Sequence, residues 1–128
     1  MNLAAIGNPQ FIALKTFRKN GDGVPTPVWT AAHEDKLYVY TGRDSGKAKR
    51  IRRTPRVEVC VSDYRGTTLG EWVEARARVM DEAGSLEKGI RLMISKYGLQ
   101  FRLLRWVGAL RGRRDDSIMI EISASASA

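Results

Sequence analysis

The run Tyr40-Thr41-Gly42-Arg43-Asp44-Ser45-Gly46-Lys47-Ala48-Lys49-Arg50-Ile51-Arg52-Arg53-Thr54-Pro55-Arg56-Val57 holds the residues best suited to chemistry, and that chemistry is anion binding. An apolar strand leads through a glycine-containing turn into a short basic helix. Asp44 or Ser45 can cap that helix, and Pro55 stops it. The unpaired N–H groups of its first turn, with the positive end of the helix dipole, then face whatever lies beyond the end of the strand, and a phosphate suits that place. From Arg43 to Arg56 there are seven lysines and arginines against the single acid Asp44. Such a run repels itself unless solvent or an anionic ligand screens it, so a solvated basic helix is the plain alternative.

Other chemistries are poorly supplied. With one histidine and one cysteine there is no His/Cys zinc set and no paired-histidine motif. His33 stands before Glu34 and Asp35 in a polar turn, and no nucleophile-elbow sequence accompanies it, which argues against a Ser-His-Asp hydrolase. Cys60 has no internal disulfide partner, as in a reducing cytoplasm, and falls in a strand pattern where a free thiol behaves as a small hydrophobe. The net charge of +8 and a pI near 10.1 call for a polyanionic partner: nucleic acid, an anionic membrane surface, or a phosphorylated or carboxylated small molecule.

The elements that must position these residues fit one domain, 1–128, long enough to bury roughly 65–70% of its unfolded surface around one core. At 43% hydrophobic and 28% charged residues it is near the globular average. No apolar stretch is long enough for a membrane span, and the first residues lack the basic start of a signal peptide. Residues 1–10 read as a loose N-terminal arm. Phe11 to Lys19 reads as a strand, followed by Asn20-Gly21-Asp22-Gly23 as its hairpin turn. The next strand, Val24 to Ala32, contains Pro25 and Pro27. Each removes a ladder donor, and at alternate positions both losses fall on one side, so one edge of that strand is unpaired or faces a ligand. Lys36 to Thr41 is a third strand, with Leu37, Val39 and Thr41 on one face and Tyr38 and Tyr40 on the other. After the basic helix, Val57, Val59 and Val61 alternate with Glu58, Cys60 and Ser62. Trp72 to Met80 follows, with Val73, Ala75, Ala77 and Val79 inward and Trp72, Glu74, Arg76 and Arg78 outward. From Ser85 the period changes: Leu86, Ile90, Met93, Ile94 and Tyr97 recur at helical spacing, Gly98 suits a C-cap, and Phe101 to Leu110 could form a second helix. Ile118, Ile120 and Ile122 make a final strand, and the Ser-Ala repeat 123–128 reads as a frayed tail. The expected fold is mainly β, a six-stranded antiparallel barrel with a short basic helix and a C-terminal helical insertion.

This order of elements, together with Tyr40-Thr41, Ser45-Gly46-Lys47-Ala48, Ile51 and Pro55-Arg56-Val57, resembles the split β-barrel flavin and deazaflavin oxidoreductases, the pyridoxamine 5'-phosphate oxidase-like superfamily with its FMN-binding split barrel. The resemblance runs from about Phe11 to Met80. Thr26-Pro27-Val28-Trp29 and the short length resemble the branch that uses coenzyme F420. What the resemblance implies is a deazaflavin held through its phosphate by Lys47 and the Ser45 and Gly46 backbone, with the Thr41 hydroxyl beside it. Pro27, Val28 and Trp29 would lie against the tricyclic ring, near Tyr40. Arg50 and Arg53, with the neighbouring cations, would meet the phosphodiester and polyglutamate charges. Flavin-using members resemble one another in an arginine on the second strand where this chain has Pro25, which turns the expectation from FMN toward F420.

The implied reaction is hydride transfer to an electron-poor acceptor such as an enone, a quinone or a tetrapyrrole, in a homodimer with the cofactor at its interface. No catalytic residue is implied, because the cofactor carries the chemistry. An FMN- or haem-binding member of the superfamily is the alternative within that class. A nucleic-acid-binding small barrel is the alternative outside it, suggested by the pI, the basic run and Arg111, Arg113 and Arg114. The absence of any aromatic between Arg43 and Tyr64 counts against base stacking. The basic amphipathic stretch from Phe101 to Arg111, with Trp106, would suit peripheral membrane association of an otherwise cytoplasmic protein.

Overall fold

The computed structural model of the chain describes residue 6 and residues 9–43, 45–80, 84–98 and 117–124. Six antiparallel strands close into a barrel in the order β1-β2-β3-β6-β5-β4: β1 Phe11–Phe17, β2 Gly23–His33, β3 Lys36–Gly42, β4 Arg56–Ser62, β5 Val73–Met80 and β6 Ser117–Ala124. Helix α1, Gly46–Arg53, joins β3 to β4, and α2, Ser85–Tyr97, lies between β5 and β6 in the chain. This is the mainly β barrel that the alternation of apolar residues predicts.

Period-two alternation sends one set of side chains inward from every strand. Ile12, Leu14, Val39, Val57, Val59, Ile120 and Ile122 meet there in a closed core, joined by Ile51 of α1. Each such side chain contributes about 1.5–3 kcal/mol by leaving water. A second cluster lies outside the barrel, where α2 covers Ala31, Tyr38, Met80 and Met119 with Met93. Gly89 makes that approach possible, since a Cβ there would fall 2.3 Å from Met119 Cε. The C-terminal end of α2 is fastened to the chain around β1 and β2. Lys96 Nζ donates to the Thr30 carbonyl at 2.8 Å and to Pro9, while the single Tyr97 O–H is shared between the carbonyls of Gln10, at 2.8 Å, and Thr30.

Several expected boundaries shift for local reasons. β1 ends at Phe17 and not at Lys19, because Arg18 already belongs to the turn: its N–H donates to Asp22 O and its carbonyl accepts from Gly21, both at 2.9 Å. β6 runs to Ala124, so the first two residues of the expected tail are paired with Arg76 and Ala75 of β5. At the other end Ile6 packs against the core and Gln10 O accepts from Thr30 N–H at 3.3 Å, so this part of the arm is tied down. The rest of the arm and tail, Asp44, and the stretch from Phe101 to Arg114 lie outside the described residues. Strand β4 also departs from simple alternation: Cys60 and Ser62 are buried with Val57 and Val59, while Val61 is half-buried. The β4–β5 loop folds back over its outer face, with Leu69 N–H donating to Val61 O at 2.8 Å and the Cys60 thiol to Gly70 O at 3.2 Å. Among the described residues no helix is long and apolar enough to cross a membrane.

Candidate anion site at the start of the basic helix

β3 delivers Thr41 and Gly42 to the barrel end where α1 begins. The turn closes with Ser45 N–H on Gly42 O at 3.1 Å. Ser45 is the cap: its Oγ accepts from Ala48 N–H at 3.2 Å, and Thr41 Oγ1 lies 3.5 Å from it. The choice between Asp44 and Ser45 is thereby resolved toward Ser45. With Ala48 satisfied, the N–H groups of Gly46 and Lys47 stay without an intrahelical acceptor, and the first turn contains no acid.

Two cations share this position. Lys47 is half-buried and has no hydrogen-bond or ion-pair partner among the described residues. Burial, and then the neighbouring Arg50 charge, hold its pKa below the usual 10.5. Arg50 Nε donates to Thr16 Oγ1 at 2.6 Å, and its guanidinium folds back over the helix start: a Cβ on Gly46 would fall 2.8 Å from Nη1. Glycine at 46 therefore leaves room for a cation over the first turn. Burial, with the Arg18 and Arg53 charges, pushes Arg50 down as well. Arg53 donates to Phe17 O at 3.0 Å. Neither Lys47, Arg50 nor Arg53 has a carboxylate partner among the described residues. Half-buried cations that repel one another, beside N–H groups without an intrahelical acceptor, favour a negative charge at this position.

The prolines of β2 shape a second feature. β2 pairs with β1 from Gly23 to Trp29, but with β3 only from Thr30 to His33. Thr30 donates toward the β1 side, so even-numbered residues of β2 bond to β1, and Pro25 and Pro27 turn their missing donors to the other edge. That edge is open. Thr26, between the prolines, has a buried hydroxyl with no hydrogen-bond partner.

Thr41, Ser45, Gly46, Lys47 and Arg50 thus come together, with Arg53 at the far end of the same helix. The expected ring-binding residues are distributed differently. Pro27 is exposed beside Gly66, where a Cβ would lie 3.5 Å from Pro27 Cδ, and Val28 points into the barrel core. Trp29 is on the outer face, stacked on Tyr97 at 4.8 Å between ring centroids and edge-on to Phe11 at 6.2 Å, and Tyr40 packs in the same outer cluster under α2. The sequence does not single out Thr16, and it names Thr26 only as part of the Thr26-Pro27-Val28-Trp29 segment. The available signal was a hydroxyl residue at inward positions otherwise filled by Ile12, Leu14 and Val28. Among the described residues no three His, Cys, Asp or Glu side chains converge as a metal site.

The family model for pyridoxamine 5'-phosphate oxidase matches residues 3–125. The chain is similar in structure to the heme storage protein HutZ from Vibrio cholerae, with a TM-score of 0.68 and 13% identity over 98% of this chain and 92% of that one. It is also similar to an F420 reductase, with a TM-score of 0.57 and 18% identity over 98% and 94% of the two chains. General Stress Protein 26 from Bacillus anthracis gives 0.62 and 23% over 94% and 84%. At these identities the likeness concerns the fold. No curated protein matches the chain.

Proposed function

The chain belongs to the pyridoxamine 5'-phosphate oxidase family, and from that premise we propose that it is an oxidoreductase that binds coenzyme F420 and transfers a hydride to an electron-poor small molecule such as an enone, a quinone or a tetrapyrrole. The observation that carries this reading is Lys47: a half-buried ammonium beside Arg50, at a capped helix start, with no counter-ion among the described residues. These residues fit a phosphate. The ammonium and the Gly46 and Lys47 N–H groups would hold it, with Arg50 braced by Thr16 and Thr41 close to the cap.

When bound, a reduced deazaflavin supplies the hydride. The protein's own part is to bind, orient and exclude water. The unpaired β2 edge offers the carbonyls of Pro25 and Pro27 as a wall without strand partners among the described residues, backed from the inward side by the buried Thr26 hydroxyl. Lys49, Arg52 and Arg53 add positive charge along the helix for further anionic groups, each exposed contact contributing about 1 kcal/mol or less. The reading includes a homodimer that completes the site, and Tyr64 and Leu69, 64% and 63% exposed on the β4–β5 loop, are apolar surface available to a second copy.

The test is a fluorescence titration of the pure protein with F420 and, in parallel, with FMN, using Lys47→Ala as control. Deazaflavin binding at micromolar or tighter concentration, weakened by the substitution, supports the reading. Binding of FMN alone would replace the cofactor but keep the site, and binding of neither would sink both.

A further inference from the structure

A second basic recess lies on the other flank of α1. Ala48 and Ile51 form the buried stripe of this helix. At 3.6 residues per turn, Lys47 and Arg50 fall on one side of that stripe and Arg52 on the other. The helix rests against β1 and against β5, so its two flanks serve different parts of the barrel. Beside β5 and β6 is a cavity of about 520 Å³, within the range of small-molecule sites. Ile51 and Ala77 contribute apolar floor; Arg52, Arg76, Arg78 and Glu121 stand around it. The wall is held by the Ala77 N–H, which donates to Pro55 O at 2.8 Å and ties the chain after α1 to β5.

Among the described residues that line this recess, three carry guanidiniums and one a carboxylate. Glu121 is already shared, with Lys36 and Arg78 each at 3.5 Å and the Tyr38 hydroxyl at 3.4 Å. Arg76 has no ion-pair or hydrogen-bond partner among the described residues. Its cross-strand neighbours are Ser123 on β6 and another cation, Arg56, on β4. Like charges directly opposite one another are unfavourable. Arg56 escapes by turning to Glu74 at 2.7 Å and Glu58 at 3.2 Å, which leaves Arg76 to the recess.

We propose that this recess binds a small anion on an apolar body, carrying either carboxylates or a phosphate ester, with Arg76 as its principal contact. The apolar floor takes the body and the guanidiniums take the charge. The site lies on the opposite flank of α1 from Lys47, and Arg76 takes no part in the site at the start of that helix.

The experiment follows backbone amide and arginine Nε–H resonances of the full chain during titration with phthalate and, separately, with phenyl phosphate. With at least one of them, saturable shifts at Ala77, Val79 and the Arg76 Nε–H are expected. Preference for phthalate identifies a dicarboxylate ligand; preference for phenyl phosphate identifies a phosphate ester. Arg76→Gln, an exposed substitution whose fold is verified by unchanged amide dispersion, should weaken the affinity about tenfold. Lys47→Ala should leave the shifts at Ala77 and Val79 in place. Shifts confined to residues 46–50, no saturable shift with either compound, or equal affinity in Arg76→Gln would each overturn the proposal.

Discussion

On the outer face of β1, β4 and β5, Lys15 reaches Glu58 at 3.3 Å, and Arg56 holds Glu58 at 3.2 Å and Glu74 at 2.7 Å. Around the first turn of α1, Lys47 and Arg50 lie close together and reach no carboxylate among the described residues. Both regions are rich in lysine and arginine, and both have a local cause. On the sheet, register places Glu58 opposite Glu74, an arrangement that would be repulsive without Arg56 beside them; Lys15 lies over the face of Trp72 at 4.0 Å and Arg56 over that of Phe17 at 4.6 Å. Helix α1 itself, Gly46–Arg53, contains no acid to do the same. The difference teaches that the informative quantity is charge left without a partner. The first region uses its cations to hold strands together, and the proposed phosphate site rests on those of the second reaching no carboxylate among the described residues.

The comparison is broken most severely by Lys47→Ala. Deazaflavin affinity should fall about 10- to 100-fold, the worth of a charge-assisted contact, while the thermal midpoint of the ligand-free protein stays level or rises because a like-charge contact is relieved. A fall in both, read by fluorescence titration and calorimetry, would show that Lys47 is structural after all.

The converse substitution, Glu58→Gln, removes the carboxylate shared by two cations. It should cost about 1 kcal/mol in urea unfolding, near the upper end for partly exposed pairs, and leave ligand affinity unchanged. An altered affinity would mean that the two regions communicate.

Alkaline pH sharpens the contrast. The pKa of Lys47 is lower in the folded chain than in the unfolded one, so the folded chain releases that proton first. The penalty on ligand-free stability is therefore complete below the lowered value and relieved as pH rises from there toward 10.5. Anion affinity should fall over the same window, and Lys47→Arg should flatten the profile. Tyr97 runs the other way: burial pushes its hydroxyl up to about 12, despite the Thr30 carbonyl contact. The stability it contributes is complete below 10.0 and should be lost between there and about 12, which unfolding followed against pH would show.

The smallest expected effect is that of salt. Raising it from low to near-physiological strength should weaken cofactor binding a few-fold, through the exposed cations along α1, and change the unfolding free energy by only tenths of a kcal/mol. A salt-insensitive affinity would remove these residues from the site.

Much of this was legible in the chain. Alternation of Leu37, Val39 and Thr41 with Tyr38 and Tyr40 located β3 and its two faces, because a strand's period is local. Pro25 and Pro27 disclosed the open edge for the same reason: a missing donor is a property of the residue itself. What could not be read depends on distant partners. Cys60 and Ser62 are buried by a loop that folds back after the strand has ended, so alternation alone predicted them outward. Trp29 fits a ligand wall by sequence, yet its ring finds Tyr97, supplied by a helix near the far end of the chain. Thr16 became a brace only when α1 brought Arg50 across to β1. The pairing state of an arginine is likewise a matter of register, which is why Arg56 and Arg76 look alike in sequence and differ in the fold.

The proline-bearing edge of β2 has a consequence for the protein's life in a crowded solution. An open strand edge normally invites a foreign strand, which needs both donors and acceptors to form a ladder. Between Gly23 and Trp29 this edge presents the carbonyls of Pro25 and Pro27 but neither of their donors. This stretch of β2 can therefore do without a strand partner on that side without becoming a nucleus for aggregation.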